Sequence, residues 1–569
     1  MKRAASGRFC GTVTCFAFLA ALPALAQAPD HADKPETSNT ETGATFRSKV
    51  TLVTVPVVVR DRHGKAVGNL QKEDFQLFDR GKEQTISKFA IEKADVPDTN
   101  SESLPAASSP ESGAKFSEAM PSQFVAYVFD DLHLDAANLS VLRPAAEKHL
   151  AGLASSVRAA VFTTSGVNML DFTGDRVKLK DALRRVSAQS REGTKKTDCP
   201  YISYYMADLI LNEHDPEALE AAIMEAISCG AHLGPLAEAL VRSAAKLALS
   251  VGDLETQITV RTLKEIIHRM GSMPGQRVIV LVSPGFLVKR EHFDVPDMLA
   301  SANRLNVTIN SLDTRGVYVT GRDSTDRPVH GARALLAIDS YERDDAMGHS
   351  GALEEIARET GGQFFHDNND LYGGFQQLAA PAAFVYWLGF SPENLQADGK
   401  LHALKVKLRN GSGLTIQSRR GYVAPNYNLT AAEQAKQEIE AALFSHQKMH
   451  DIPIVSVAQS LTPANGSTQL SLVASLDVAG LGFRQPDGRS LDHLTVAWAL
   501  FDHDGHLIKT QQQRLELLLK DATPPNAVNE VIAVKTHFDV PSGDYMIRLV
   551  VSDLDAQMMS ATNSTTVVP

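Results

Sequence analysis

One segment constrains the fold more than any other: an uninterrupted apolar run at residues 124–129 that ends in acidic residues. A six-residue apolar run without polar alternation predicts a strand buried on both faces, as in a parallel sheet covered by helices. Asp130, Asp131 and Asp135 follow at once, with His133 between them. Parallel α/β sheets bind ligands outside the carboxyl ends of their strands. These four residues are therefore the first candidates for a functional site.

Strand and helix patterns alternate along the residues that follow. Further buried strands are predicted at residues 157–164, 277–283, 307–312, 364–365 and 384–389, the last two closing the sheet. Apolar residues recur at helical spacing at residues 139–153, 177–186, 258–270 and 353–357. Because strands that alternate with helices form parallel sheets, residues 121–395 are predicted to be a doubly wound α/β domain with helices on both faces. Residues 194–232 interrupt the alternation and are interpreted as an insertion.

Regions of β pattern flank this domain. Residues 46–93 read as a small β module, and residues 94–120, rich in Ser, Pro and Glu, as a linker. Alternation around Asn410-Gly411 predicts a hairpin at 400–425. Because a module of about 48 residues is short of core, this hairpin is expected to complete it, so that the α/β domain is inserted into a β domain.

The C-terminal part returns to alternating apolar runs punctuated by turn signals. Residues 451–569 are therefore predicted to form an immunoglobulin-like β-sandwich. Residues 426–450 are interpreted as a helical connector.

The N-terminus has the features of a secretory leader. Lys2, Arg3 and Arg8 precede an apolar stretch, and small residues then offer cleavage sites. Residues 1–28 are therefore predicted to be a signal peptide, followed by a flexible lead-in at 29–45, and the protein to be secreted or periplasmic. No later segment has about 18 continuous apolar residues, so no membrane span is expected.

The net charge of the chain narrows the classes of partner. The formal net charge is −11, and the leader carries only basic charges, so the mature chain is more acidic still. This balance argues against nucleic acid as the main partner.

Two of the four cysteines lie in the leader. The remaining pair, Cys199 and Cys229, is expected to form a disulfide in an oxidising compartment, with two buried thiols as the alternative.

Several phrases together resemble the VWFA-related group of exported bacterial proteins, which carry a von Willebrand factor A-like (VWA-like) domain. The phrases are Val57–Asp61, Gly68–Leu70, Glu73–Phe75, Phe129–Leu134, Phe172–Asp175, Cys199–Asp208, Asn212–Pro216 and Arg420–Tyr422. The resemblance covers roughly residues 46–425 and implies a VWA-like fold in an exported protein. It assigns no biochemical role.

The resemblance also implies a metal-ion-dependent adhesion site, in which Mg²⁺ is held by an Asp-x-Ser-x-Ser loop, a Thr from a second loop and an Asp from a third. Here Asp130 fits the first position, but Leu132 and Leu134 replace the two serines. A shift by one residue gives Asp131, His133 and Asp135, which are chemically better ligands but depart from the motif. Thr194 is the candidate for the threonine. The third loop, Ser283-Pro284-Gly285-Phe286, has no aspartate. The site is therefore expected to be degenerate, with weak or no Mg²⁺ binding.

No complete catalytic constellation accompanies these features. The leading hypothesis is a non-enzymatic protein-binding module with no cofactor. Its protein partner would dock on the loops that carry Asp130, Asp131, His133, Ser283, Gly285 and Phe286. Two alternatives stay open: an envelope hydrolase whose site is assembled from distant residues, and a purely structural envelope protein. An ordered cleft with paired carboxylates or a Ser–His contact would favour the hydrolase.

Overall fold

A computed structural model describes residues 53–62, 64–93, 121–189, 198, 200–231, 235–288, 294–317, 332–392, 398, 400–424, 431–445, 449–461, 469–477, 481, 491–518, 531–553, 556 and 558–569. The predicted leader, the lead-in and the 94–120 linker lie outside these residues, as do Thr194 and Cys199.

The described part of the chain begins with four strands and a 3₁₀ turn: β1 (Val53–Asp61), the 3₁₀ turn (Lys72–Asp74), β2 (Phe75–Asp79), β3 (Lys82–Gln84) and β4 (Ile86–Lys93). An α/β region follows: β5 (Gln123–Phe129), α1 (Ala136–Ala151), β6 (Val157–Thr163), β7 (Met169–Thr173), α2 (Arg176–Arg185), α3 (Tyr204–Leu211), α4 (Pro216–Ser228), α5 (Pro235–Met270), β8 (Gln276–Ser283), α6 (Asp294–Arg304), β9 (Val307–Asp313), α7 (Ala332–Glu359), β10 (Phe364–Phe365) and α8 (Leu371–Ala379).

The last third is rich in strands: β11 (Phe384–Phe390), β12 (Leu401–Leu408), β13 (Leu414–Ser418), β14 (Gly421–Val423), α9 (Ala431–Leu443), β15 (Met449–His450), β16 (Ile454–Leu461), β17 (Gln469–Asp477), β18 (Leu491–Phe501), β19 (Leu507–Leu518), β20 (Val531–Asp539), β21 (Gly543–Asp553) and β22 (Met558–Val568). The protein is thus a mixed α/β chain with several sheets.

The six-stranded sheet of the α/β region has the order β10-β9-β8-β5-β6-β7. Strand β5 lies in the middle and pairs in parallel with both β6 and β8. Strands β9 and β10 continue the parallel pairing, whereas β7 runs antiparallel to β6 at the far edge. The strand order reverses between β5 and β8, and this reversal point is where doubly wound sheets bind ligands.

Helices cover both faces of this sheet. Alternate residues of β5 enter two different apolar clusters: Phe124 packs with α5, α6 and α7 on one face, and Tyr127 with α1, α2 and α8 on the other. All seven residues of β5 are buried, as the apolar run predicts. Asp175 is the N-cap of α2, since its side chain accepts hydrogen bonds from the backbone amides of Val177 and Lys178.

Strand β11 corrects one expectation. Residues 384–389 were expected to close the α/β sheet, but β11 instead pairs antiparallel with β1 and β4 in a sheet of order β13-β1-β11-β4. The α/β sheet ends at the short strand β10, beside β9. The whole α/β region therefore lies between two strands, β4 and β11, that are neighbours in another sheet.

The strands around Asn410-Gly411 also differ in detail from the predicted hairpin. They do not form one ladder: β12 pairs with β2 in a sheet of order β14-β12-β2-β3, and β13 pairs with β1 in the opposite sheet. Both lie against the N-terminal strands. A shared core fills the space between the two four-stranded sheets and includes Val57, Leu77, Tyr386 and Val406.

The insertion region is helical. Helices α3 and α4 pack with the first half of α5 and with α7 around an alanine-rich cluster. Helix α5 begins at Pro235, well before the start expected at residue 258. Cys229 lies at the C-terminal cap of α4; because Cys199 is outside the described residues, the disulfide stays a prediction.

The C-terminal region consists of two sheets packed face to face, of order β15-β22-β21-β18-β19 and β16-β17-β20. Trp498, Leu472 and Phe538 belong to the core between them. Helix α9 covers the outer face of the larger sheet.

The turn between β18 and β19 attaches this region to the amino-terminal edge of the α/β sheet. Arg158, which is 3% exposed, donates hydrogen bonds to the carbonyl oxygen of His503 (2.8 and 3.1 Å) and forms an ion pair with Asp504 (3.1 Å). The Asp504 carboxylate also accepts a bond from the amide of Gly174. The opposite, carboxyl-terminal edge of the sheet carries the acidic loop.

Among the described helices, none is long and apolar enough to cross a membrane.

Candidate functional site

Asp130 lies at the carboxyl end of β5, at the point where the strand order reverses. It is fully buried. Its carboxylate accepts hydrogen bonds from three side chains: His133 Nδ1, 2.9 Å from each oxygen, Thr164 Oγ1 at 2.9 Å and Ser283 Oγ at 2.6 Å. Because Ser283 ends β8, this last bond joins the two strands across the reversal point.

His133 is brought to Asp130 by a tight turn. The amide of His133 donates to the carbonyl oxygen of Asp130 (3.0 Å), so the imidazole folds back over the carboxylate of the same residue. The ring stacks on Phe286, with centroids 5.7 Å apart. The side chain is 16% exposed, and it is therefore the part of this network that reaches the surface.

Asp131 points to the neighbouring loop after β6. Its carboxylate accepts bonds from the amide (2.8 Å) and hydroxyl (2.5 Å) of Ser165 and from the hydroxyl of Thr164 (3.1 Å). The single hydroxyl of Thr164 thus bridges Asp130 and Asp131. Helix α5 supports this loop, since Thr262 donates to the carbonyl oxygen of Thr164 (3.0 Å).

The pKa values of the two carboxyl groups are shifted in opposite directions. Burial acts to raise the pKa of Asp130, but the charge of His133 and the bonds from His133, Ser283 and Thr164 outweigh it and hold the pKa below its usual value. For Asp131, the effect of burial is larger than that of the hydrogen bonds from Ser165 and Thr164, so its pKa is raised. Burial acts to lower the pKa of His133, but Asp130 outweighs it and the pKa is raised. Both shifts favour the charged forms, an imidazolium beside a carboxylate.

Most residues expected to face a partner are buried. Asp130, Asp131, Ser283 and Phe286 are at most 1% exposed. The reason is that Phe286 belongs to the core of one sheet face, while the polar groups are satisfied by each other. Gly285 is buried too, with φ +96° and its amide bonded to the Ser283 hydroxyl. Of the residues expected to face a partner, His133 keeps the largest exposed fraction, 16% of its side chain.

Asp135 does not join the network. It is the N-cap of α1, and its carboxylate accepts a bond from the amide of Asn138 (2.6 Å). The shifted ligand set Asp131, His133 and Asp135 is therefore not assembled in this structure.

The side chains do not fit the Mg²⁺ site that the resemblance implies. Leu132 (7% exposed) and Leu134 (1%) are buried apolar residues where the family pattern has serines. Both oxygens of Asp130 are engaged by the His133 ring, so an imidazolium lies where a cation would bind. Among the described residues no cluster of three or more His, Cys, Asp or Glu suited to a metal is found.

The arrangement does not match a nucleophilic site either. Ser283 donates to Asp130, whereas in a serine hydrolase the serine contacts the histidine that takes its proton. The paired carboxylates Asp130 and Asp131 are saturated by internal donors and buried. The features named for the hydrolase alternative are thus not assembled at this edge.

Thr164, Ser165 and Thr262 escaped the sequence analysis. A signal existed: the hydroxyl run Thr163-Thr164-Ser165 directly follows the second buried strand, and the carboxyl ends of adjacent parallel strands meet at one edge. No comparable signal marks Thr262, which lies within a long helix.

Comparisons with known proteins identify no family. No family model matches the chain, and no curated protein matches it. A solved β-glucuronidase from Bacteroides uniformis is 12% identical over 20% of this chain and 13% of that chain, with a TM-score of 0.14. The chicken interferon gamma receptor alpha chain is 9% identical over 30% of this chain and 66% of that chain, with a TM-score of 0.12. The chain spans less than two thirds of the length of each of these two proteins. TM-scores this low support no inference about fold or function.

Proposed function

We propose that this protein is an exported, non-catalytic protein-binding module with a VWA-like domain whose metal site is replaced by a histidine–carboxylate pair. One observation carries the proposal: the network of Asp130, His133 and Ser283 lies at the reversal point of a doubly wound sheet, where such sheets bind ligands. The acidic loop after the central strand and the helices on both faces agree with the VWA resemblance.

The internal bonds of the network support a binding role. They fix three loops of the carboxyl edge, after β5, β6 and β8, without a bound metal. A surface ordered before binding loses less conformational entropy when a partner docks. The buried residues are thus positioning residues, and their exposed neighbours form the contact surface.

The exposed neighbours include two valines at the same edge. Val167, in the turn after β6, is 74% exposed, and Val317, after β9, is 64% exposed. Together with His133 and Asp135 they present apolar and polar groups to a protein partner. We define this contact surface as the carboxyl-edge surface.

The test is affinity capture from the envelope fraction with the mature chain, in Mg²⁺ and in EDTA. Val167→Glu is the test variant, and Val177→Glu on α2, which is 69% exposed, is the matched control. We expect a partner that the control retains, that Val167→Glu loses, and that is captured equally in both buffers. Capture that requires Mg²⁺, or that Val167→Glu leaves unchanged, would contradict the proposal.

A further inference from the structure

A cavity lies far from the acidic loop in the chain, where the sheet that contains β2 and β12 meets the end of α7. Its volume is about 570 Å³, within the range of small-molecule sites. Four basic side chains and one acidic side chain line it: Arg80, Lys405, Lys407, Arg420 and Glu359. In a chain of formal net charge −11, this is a local excess of positive charge.

The sheet explains how the lysines come together. Leu404 and Val406 of β12 face the core, so Lys405 and Lys407 project from the outer face of the same strand. Phe78 on β2 is the cross-strand partner of Lys405, and Lys407 lies over its ring, 5.1 Å from the centroid. The described residues offer neither lysine a carboxylate within salt-bridge distance.

Arg80 is held at the cavity by an uncommon backbone. Its φ is +46° and that of Gly81 is +83°, the two left-handed residues of a primed β-turn between β2 and β3. A two-residue hairpin of this type requires positive φ at both central positions, so the turn itself accounts for the Arg80 backbone. The amide of Arg80 donates to the carbonyl oxygen of Ala403 (2.9 Å), which ties the turn to β12.

Arg420 and Glu359 close the other side. They form an ion pair (3.6 Å), with Arg420 47% and Glu359 26% exposed. Burial raises the pKa of Glu359 against the opposing charge of Arg420. The carboxylate thus occupies a partly desolvated site next to a guanidinium, where the charge of an anionic ligand would compete with it.

We propose that this cavity binds a small polyanion, a molecule with at least two phosphate or carboxylate groups. Two guanidinium groups provide planar, paired donors that suit such groups, and two lysines add point charges. The apolar ring of Phe78 forms the floor. This site is separate from the carboxyl-edge surface.

The experiment is calorimetric titration of the mature chain with inorganic pyrophosphate and with citrate, with acetate as the monoanion control. We expect saturable binding of at least one polyanion and none of acetate. A preference for pyrophosphate would assign phosphate, and a preference for citrate would assign carboxylate. No saturable binding of either would overturn the proposal.

Variants locate the site. Lys405→Gln and Lys407→Gln should each weaken binding about fivefold, because one unit charge is removed at contact distance in a solvated site. Lys509→Gln is the matched control, since Lys509 is also exposed on a strand and lies over a phenylalanine ring, 5.9 Å from the centroid of Phe538. Glu359→Gln should tighten binding. Equal weakening by the control, or no gain from Glu359→Gln, would place the binding elsewhere.

Discussion

His133 acts as an internal cation in the carboxyl-edge network. A buried carboxylate needs a partner, because an unpaired charge in the interior costs several kcal/mol. In the family pattern a metal serves this purpose; here the imidazolium does, 2.9 Å from both oxygens of Asp130. The charged groups around the ring are Asp130, Asp131 and Glu255, all of which favour the protonated form.

The pair makes stability depend on pH with a definite sign. The pKa of His133 is raised above 6.5, so its contribution is complete below about pH 6.5 and is lost as pH rises through the folded pKa. The pKa of Asp130 is lowered below 3.8, so its contribution is complete above about pH 3.8 and is lost as pH falls through the folded pKa. The full contribution therefore lies between these two values.

We expect His133→Gln to lower the free energy of unfolding by about 3 kcal/mol near pH 6, because it removes one charge of a buried pair. The difference from wild type should shrink as the pH rises through the folded-state pKa of His133, where the imidazole loses its proton. Denaturant titrations at several pH values measure this. A difference that is constant with pH would show that no imidazolium is present.

We expect millimolar Mg²⁺ to leave the melting temperature of the wild type unchanged. A cation raises the melting temperature only when it binds the folded state, and here the His133 ring already contacts both oxygens of the Asp130 carboxylate. We also expect Asp130→Ala to weaken partner binding less than Val167→Glu does, since Asp130 is buried. A Mg²⁺-dependent shift that Asp130→Ala abolishes would refute this and restore a metal site.

At the scale of elements, the sequence predicted the central strand and its acidic loop but not every strand assignment. A buried apolar run looks the same in a parallel sheet and in the middle of a sandwich. Strand β5 is the first kind, and β11, flanked by β1 and β4, is the second. Periodicity within the run does not separate them, because the difference lies in which distant strand becomes the neighbour.

The start of α1 offers a test of the role of Asp135. If the residue only caps the helix, Asp135→Ala should cost about 1 kcal/mol, whereas Asp135→Asn should cost little, because asparagine is an equally good N-cap. Thermal unfolding of both variants measures this. Equal losses would mean that the negative charge itself matters, as it would in a metal ligand.

At the scale of the whole molecule, the turn between β18 and β19 joins the C-terminal region to the α/β region. Gly505 has φ +85°, and a Cβ there would collide with the ring of Phe124 at the start of β5. Arg158 and Asp504 form the ion pair beside it. In the sequence this segment is only one of the turn signals between the C-terminal apolar runs, because the residues that it contacts lie hundreds of positions away.

Gly505→Ala should therefore destabilise the protein more than Gly413→Ala, by about 1–3 kcal/mol, the usual cost of overpacking a core. Gly413 has φ +76° and open space around it, so it carries the same backbone cost without the collision. Calorimetry measures the difference. Equal losses would show that the turn does not hold the two regions together.

The pairing of β4 with β11 has a consequence for the order of events during folding. Lys93 is the register partner of Phe384, so the two ends of the α/β region meet as one residue pair of the β4–β11 ladder. The whole α/β region is thus the connection between two neighbouring strands, β4 and β11. The sheets of the N-terminal strands stay incomplete until β11 to β14 emerge from the ribosome, whereas all six described strands of the α/β sheet lie within the enclosed region. Strands β1 to β4 are thus synthesised before the α/β region, but their sheets are completed only after it.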